Sequence, residues 1–209
     1  MIKVFIADDH AIVRDGLRMV LEAAGDIEVV GEAENGEQTL RLVKTVEPDV
    51  LLLDVAMPGL GGFDVFQRLM QRRSDIAVLV LSMYPEEQYA LRFLKSGAAG
   101  YLTKGTASTQ LVHAVREVSR GKRYLSPAVA NLLAENLSGA HDELPHERLS
   151  DREYQVMAHI SNGKTVSQIA EQMSLSVRTI STYRSRILAK MRMDTNAELT
   201  HYAIKQGLV

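Results

Sequence analysis

The 209-residue chain contains no cysteine, which excludes disulfides, thiol catalysis and Cys-based zinc sites together. No apolar run approaches the roughly 18 to 20 residues that a membrane-spanning helix needs. The first residues read as a strand followed by acids, not as a basic stretch ahead of a signal-peptide core, so neither a leader nor a membrane partner is expected. The six histidines, His10, His113, His141, His146, His159 and His201, are scattered without the spacing of a zinc site. What is there in quantity is hydrophobic residues, 46% of the chain, enough for real cores in a chain longer than the usual single domain. A cytoplasmic, two-domain protein is the expectation.

Charge is unevenly placed. Residues 1–148 carry 16 Lys+Arg against 21 Asp+Glu, a net −5, whereas residues 149–209 carry 8 against 5, a net +3. The C-terminal part is modestly basic, in the direction a nucleic-acid binder requires.

Val4-Phe5-Ile6-Ala7 runs straight into Asp8-Asp9, and Leu51-Leu52-Leu53 runs into Asp54. Short apolar runs of this kind form buried parallel strands, and ligands of an open α/β sheet sit beyond the carboxyl ends of its strands. Side by side, the two strands would gather three carboxylates whose repulsion needs a cation to offset it. An all-oxygen cluster suits Mg²⁺, which takes few protein ligands and keeps its waters for a phosphate. The runs ending in Ser82 and Lys104 add a hydroxyl and an ammonium, the groups a phosphoryl on Asp54 would need around its oxygens. Each residue alone has an ordinary reading: an Asp as turn or N-cap, a Ser or Lys as surface chemistry. The set, in strand-helix order, is what carries the inference.

On Asp8-Asp9, Asp54, Met57-Pro58-Gly59, Ser82 and Lys104, residues 1 to about 120 resemble the receiver domain of two-component response regulators. The resemblance implies Asp54 as phosphoacceptor, with Mg²⁺ held by Asp8, Asp9, Asp54 and the Ala56 backbone carbonyl. It implies Ser82 as switch hydroxyl, Tyr101 as a rotating aromatic and Lys104 as phosphoryl-binding cation. There are two departures. Gly105 follows the lysine where many receivers have proline, so no cis peptide is expected on that account. Ala56 is smaller than the usual residue two beyond the phosphoacceptor, which leaves an attacking water less hindered.

Strand patterns fall near 2–7, 27–34, 49–54, 76–82 and 98–103, and helical patterns near 11–24, 36–46, 61–72, 86–95 and 106–119. Asn35-Gly36, Pro58-Gly59, Gly61-Gly62, Tyr84-Pro85 and Ser96-Gly97 punctuate them. Five such βα units predict a doubly wound, five-stranded parallel sheet; the flavodoxin-like order 2-1-3-4-5 is what the resemblance implies. From 121 to 148 the pattern breaks into a linker. There Ser126-Pro127 starts a short helix, and 138–143 is polar enough to serve as a tether.

Residues 149–209 are helical throughout. Ser150-Asp151-Arg152-Glu153 fits a capping box, Gly163 ends the helix, and Val166 to Met173 makes a second, short helix. Ser174-Leu175-Ser176 turns into a longer one from Val177 to about Met191. Ile180, Ile187, Leu188 and Met191 share its apolar stripe, with Val177 and Tyr183 at the margins. Arg178, Thr182, Ser185 and Ala189 lie opposite, flanked by Ser181 and Arg186: small residues, hydroxyls and arginines suited to a DNA groove. Leu149 to Glu153, Gly163-Lys164, Ile169-Ala170, Ser176 and Thr179-Ile180 resemble the four-helix output domain of the NarL/FixJ-like regulators, which end in a LuxR-type helix-turn-helix. Arg178, Thr179, Ser181, Thr182, Ser185, Arg186 and Lys190 are then the candidate DNA contacts.

The expectation is a phosphorylation-controlled, DNA-binding transcription regulator. A sensor histidine kinase or small phosphodonor would supply the phosphoryl, double-stranded DNA would be the target, and a homodimer would form on phosphorylation. It would be no enzyme beyond its own phosphorylation and dephosphorylation. A phosphatase with an aspartate nucleophile is disfavoured because Ala56 stands where its second acid belongs. The remaining alternative is a phosphorylation-independent DNA-binding or interaction module.

Overall fold

In the computed structural model the described residues are 1–72, 75–83, 86–106, 108–137, 144–173 and 175–208. The expected Tyr84-Pro85 break, the polar stretch 138–143 and Ser174 of the turn lie outside them. Contacts divide the chain into two units, Met1–Leu137 and Ser138–Val209.

The first unit alternates strand and helix. Its strands are β1 (Ile2–Ala7), β2 (Ile27–Ala33), β3 (Val50–Asp54), β4 (Ala77–Ser82) and β5 (Gly100–Thr103). Its helices are α1 (Ala11–Glu22), α2 (Gly36–Val46), α3 (Gly62–Arg72), α4 (Glu86–Lys95), α5 (Ser108–Ser119) and α6 (Pro127–Leu137). The sheet order is β2-β1-β3-β4-β5, and every pairing is parallel. Covered by helices on both faces, the central strands carry apolar side chains on both, so Val4 to Ile6 and Val50 to Leu53 are fully buried. Each of those leucines contributes about 2 kcal/mol by burial.

Register sets the functional edge. Ala7 lies opposite Leu53, so Asp8 and Asp54 leave the sheet at the same level. Asp54 lies opposite Leu81 and Ser82 opposite Thr103, so Ser82 and Lys104 follow one step further each. The Lys104 amide donates to the Ser82 carbonyl at 2.7 Å. Two glycines press the loop after β3 back onto this edge. A Cβ on Gly62 would sit 2.1 Å from the Asp54 carbonyl oxygen, and one on Gly36 would sit 2.2 Å from the Leu60 carbonyl oxygen. No other residue fits at either place.

The helix expected on a tether is docked. Ser126 caps α6, accepting from the Val129 amide at 3.2 Å, and its hydroxyl also bonds Glu86 at the head of α4. Val129 is buried, α6 packs on α4, and Tyr124 forms a parallel bridge with Gly100.

Among its described residues the second unit holds a short 3-10 turn (Pro145–Arg148) and four helices: α7 (Asp151–Ser161), α8 (Val166–Gln172), α9 (Val177–Met191) and α10 (Asn196–Lys205). The Ser150/Glu153 capping box is present, and a second one, Thr165/Gln168, starts α8. Gly163 closes α7 in the left-handed region at φ +79. Ser176 caps α9 through the Thr179 amide at 3.0 Å, and Thr195 caps α10; each such cap contributes about 1 kcal/mol. The buried stripe of α9 is Ile180, Ile187, Leu188 and Met191, packed against α7 and α8.

Candidate functional site

At the carboxyl edge of the sheet, ligand atoms of Asp8, Asp9, His10 and Asp54 lie within 4.8 Å of one another. Asp8 and Asp54 side chains are 1% exposed, and Asp9 keeps more solvent. Lys104 reaches back from the end of β5, its Nζ 2.6 Å from Asp8 Oδ2 and 3.0 Å from Asp54 Oδ2. These contacts are charge pairing rather than aligned hydrogen bonds, for Asp8 Oδ2, Asp9 Oδ1 and Asp54 Oδ2 are buried without a well-directed donor. The other Asp54 oxygen accepts from the Ala56 amide at 3.2 Å.

The electrostatics follow from burial. Burial, reinforced by the Asp8 charge and opposed by Lys104, raises the Asp54 carboxyl to about 6. Burial also works against the Lys104 ammonium, but Asp54 and Asp8 outweigh it and hold its pKa above the ordinary lysine value. Buried hard oxygens whose close partners are ionic side chains alone are the donor set that Mg²⁺ takes, so the residues present fit that ion.

The remaining receiver residues sit where the strands put them. Ser82 is fully buried at the end of β4. Tyr101, expected to rotate inward, is already enclosed at 1% exposed, its ring centroid 6.2 Å from that of Phe93. Phe93 in turn makes an edge contact with Phe63 on α3 at 5.0 Å.

Two participants were not singled out by the motifs. His10 places Nδ1 2.7 Å from Asp9 Oδ1 and 3.3 Å from Asp8 Oδ1. Its adjacency to Asp8-Asp9 was the available signal. Arg14 donates to the Asp8 carbonyl at 2.7 Å and to Glu32 at 3.2 Å, bracing the acidic turn from one helical turn along α1.

In the second unit, Arg178, Ser181, Thr182, Ser185, Arg186 and Lys190 are all exposed on α9, and Thr179 is half-buried. The Thr182 and Ser185 hydroxyls donate back to the Arg178 and Ser181 carbonyls at 3.0 and 3.1 Å, leaving their oxygen lone pairs outward. Lys190 is engaged within the unit: its Nζ lies 2.6 Å from Glu153 Oε2. Arg184, on the core side of the helix, donates to Asn196 Oδ1 at 2.7 Å. Val177, at the margin of the stripe, is 51% exposed.

Comparison with known proteins adds to this geometry. Residues 4–116 match the response regulator receiver domain, and residues 147–203 match the bacterial regulatory proteins of the luxR family. Response regulator GacA of Pseudomonas aeruginosa is 39% identical, covering 100% of this chain and 98% of its own. Response regulator UvrY of Escherichia coli is 38% identical, covering 100% and 96%. Among solved structures, RcsB of Salmonella enterica serovar Typhimurium, bound to a promoter in the presence of a phosphomimetic, is similar at 26% identity. Its TM-score is 0.67, over 96% of this chain and 97% of that one. ChrA, a response regulator of a heme-sensing two-component system, is similar at 32% identity and a TM-score of 0.54, over 100% and 98%.

Proposed function

Because the chain belongs to the two-component response regulators that join a receiver domain to a LuxR-family DNA-binding domain, we propose that phosphorylation of Asp54 controls its binding to DNA. The proposed division is receiver 1–120, linker 121–148 and DNA-binding domain 149–209. One observation carries the reading: buried Asp8, Asp54 and Lys104 meet within ion-pair distance at the ligand-binding edge of the sheet.

Asp54 attacks the phosphoryl of a sensor kinase's phosphohistidine or of a small acyl phosphate in line. The donor's bond to phosphorus breaks with its electron pair as the Asp54 oxygen–phosphorus bond forms. Asp8, Asp9, Asp54 and the Ala56 carbonyl would hold Mg²⁺, which when bound would supply charge neutralisation beside Asp54. Lys104, already poised between Asp8 and Asp54, turns to the new phosphoryl oxygens, and the Ser82 hydroxyl donates to another. Tyr101 is enclosed beside Phe93 of α4, so the response reaches its ring as a turn and repacking against that helix. Beyond phosphorylating and dephosphorylating itself, the protein turns over no substrate.

Phosphorylation then favours a homodimer, in which α9 of each copy enters a major groove at half-sites about one helical turn apart. Arg178, Thr182 and Ser185 face the bases, and Thr179, Ser181, Arg186 and Lys190 flank them. The promoter and phosphomimetic in the RcsB structure support this coupling, and the cytoplasm is where both kinase output and DNA are available.

Acetyl phosphate and Mg²⁺ test the proposal, with acid-labile phosphate and affinity for selected DNA followed together. Wild type should incorporate phosphate and bind more tightly; Asp54→Asn should do neither, because an amide is no carboxylate nucleophile. Full incorporation in Asp54→Asn would mean another acceptor. DNA affinity indifferent to phosphorylation would favour the phosphorylation-independent module.

A further inference from the structure

We infer that His10 is a ligand of the acidic site and raises its preference for borderline transition-metal ions relative to Mg²⁺, an inference resting on the cation site proposed above. One of its ring nitrogens belongs to the same group of donor atoms as Asp8, Asp9 and Asp54, all within 4.8 Å of one another, and its Nδ1 lies 2.7 Å from Asp9 Oδ1 and 3.3 Å from Asp8 Oδ1. A modest contraction brings that spacing onto a single ion, whose ligands stand about 2.0 to 2.2 Å from it.

Three local facts aim the ring at this task. The His10 amide donates to Asp8 Oδ1 at 2.9 Å, so the residue's backbone is held by one of the site's own carboxylates. His10 occupies the N-cap position of α1, yet its side chain makes no capping hydrogen bond, so the helix does not claim the ring. The side chain is 59% exposed, so an ion arriving from solvent meets the imidazole and the Asp9 carboxylate together.

The chemistry then separates ions by class. An imidazole nitrogen suits zinc, copper, iron and nickel, whereas Mg²⁺ prefers oxygen and keeps its waters. Ligation through Nδ1 leaves Nε2, on the far side of the ring, out of the ion's reach. Three carboxylates alone would bind Zn²⁺; three carboxylates and one imidazole bind it more tightly, with little change for Mg²⁺.

Zn²⁺ and Mg²⁺ titrated separately into the full chain by calorimetry, at one pH, provide the test. His10→Gln should lower Zn²⁺ affinity about tenfold and leave the Mg²⁺ affinity much less changed. His10 lends α1 no side-chain cap, so that variant removes no helix cap, and an unchanged melting transition checks its fold. Side-chain nitrogen NMR of wild type should show the His10 Nδ1 resonance moving as Zn²⁺ is added. Equal loss for the two ions, or a His10 resonance unmoved by Zn²⁺, overturns the inference while the cation site stands. Asp9→Asn serves as the control: if it weakens neither ion, the cation site itself is wrong and the inference falls with it.

Discussion

The two units handle charge in opposite ways. In the first, Asp8, Asp54 and Lys104 are sunk beneath the surface, at 1%, 1% and 7% exposed; in the second, Arg178 and Arg186 stand out in solvent beside the Thr182 and Ser185 hydroxyls. Buried charges interact strongly and respond to single protons or ions, which suits chemistry. Exposed charges interact weakly with one another and are screened by salt, which suits reversible contact with a polyanion. Buried titratable groups also give the units opposite responses to acid. Asp54 rises from an ordinary 3.8 to about 6 through burial. His159, on α7, falls from 6.5 to about 4 through burial and the nearby Lys164 charge. Between 3.8 and 6 the folded first unit holds more protons at Asp54 than the unfolded chain, so its stability falls as pH rises. Between 6.5 and 4 the folded second unit holds fewer at His159, so its stability falls as pH drops.

The sharpest way to break this contrast is Asp54→Asn. Removing the buried charge should stabilise the first unit by about 3 kcal/mol at pH 7, with the gain fading toward pH 4. Denaturation curves at several pH values check it; a net loss at pH 7 would mean that pairing with Lys104 outweighs burial.

On the exposed side, Thr182→Ala should shift sequence preference by ~1 to 3 kcal/mol. Arg186→Ala should instead weaken all sequences alike and lower the salt slope by ~1. Titrations on operator variants at several salt concentrations distinguish the two. A uniform effect of Thr182→Ala would show that this face touches only the backbone.

His159→Leu sharpens the acid response. It should remove about 2 kcal/mol of the second unit's loss between pH 7 and pH 5, read as a flattened dependence of that unit's melting transition on pH. Smallest is Lys190→Met. Its exposed ammonium pairs with a buried Glu153 carboxylate, so the cost should be about 1 kcal/mol of stability in the second unit. Amide exchange in α7 would register it without any DNA present.

What was legible in the chain was local and periodic. The apolar runs marked all five strands within a residue or two, and their ends put Asp8, Asp54, Ser82 and Lys104 on one edge, because parallel register carries strand ends together. The stripe of α9 was legible for the same reason: period 3.6 sorts Ile180, Ile187, Leu188 and Met191 to one side. Long side chains were not legible. The pairing of Lys190 with Glu153, 37 residues earlier, had no signal in the sequence, because nothing in the chain order brings the two together. Arg184 had no account until α10 placed Asn196 beside it. His10 read as one of six scattered histidines, since spacing rules for metal ligands do not anticipate a turn that folds a ring back onto its two predecessors. The docking of α6 on α4 escaped too, for a short apolar helix fits many surfaces equally well.

Glu153 Oε2 also has a mechanical consequence. One oxygen receives the Ser150 amide at 2.7 Å and the Lys190 ammonium at 2.6 Å, joining the first turn of α7 to the last turn of α9. The start of α7 and the end of α9 are thus held by a single carboxylate oxygen. Loosening the first turn of α7 therefore also costs the last turn of α9 its contact at Lys190.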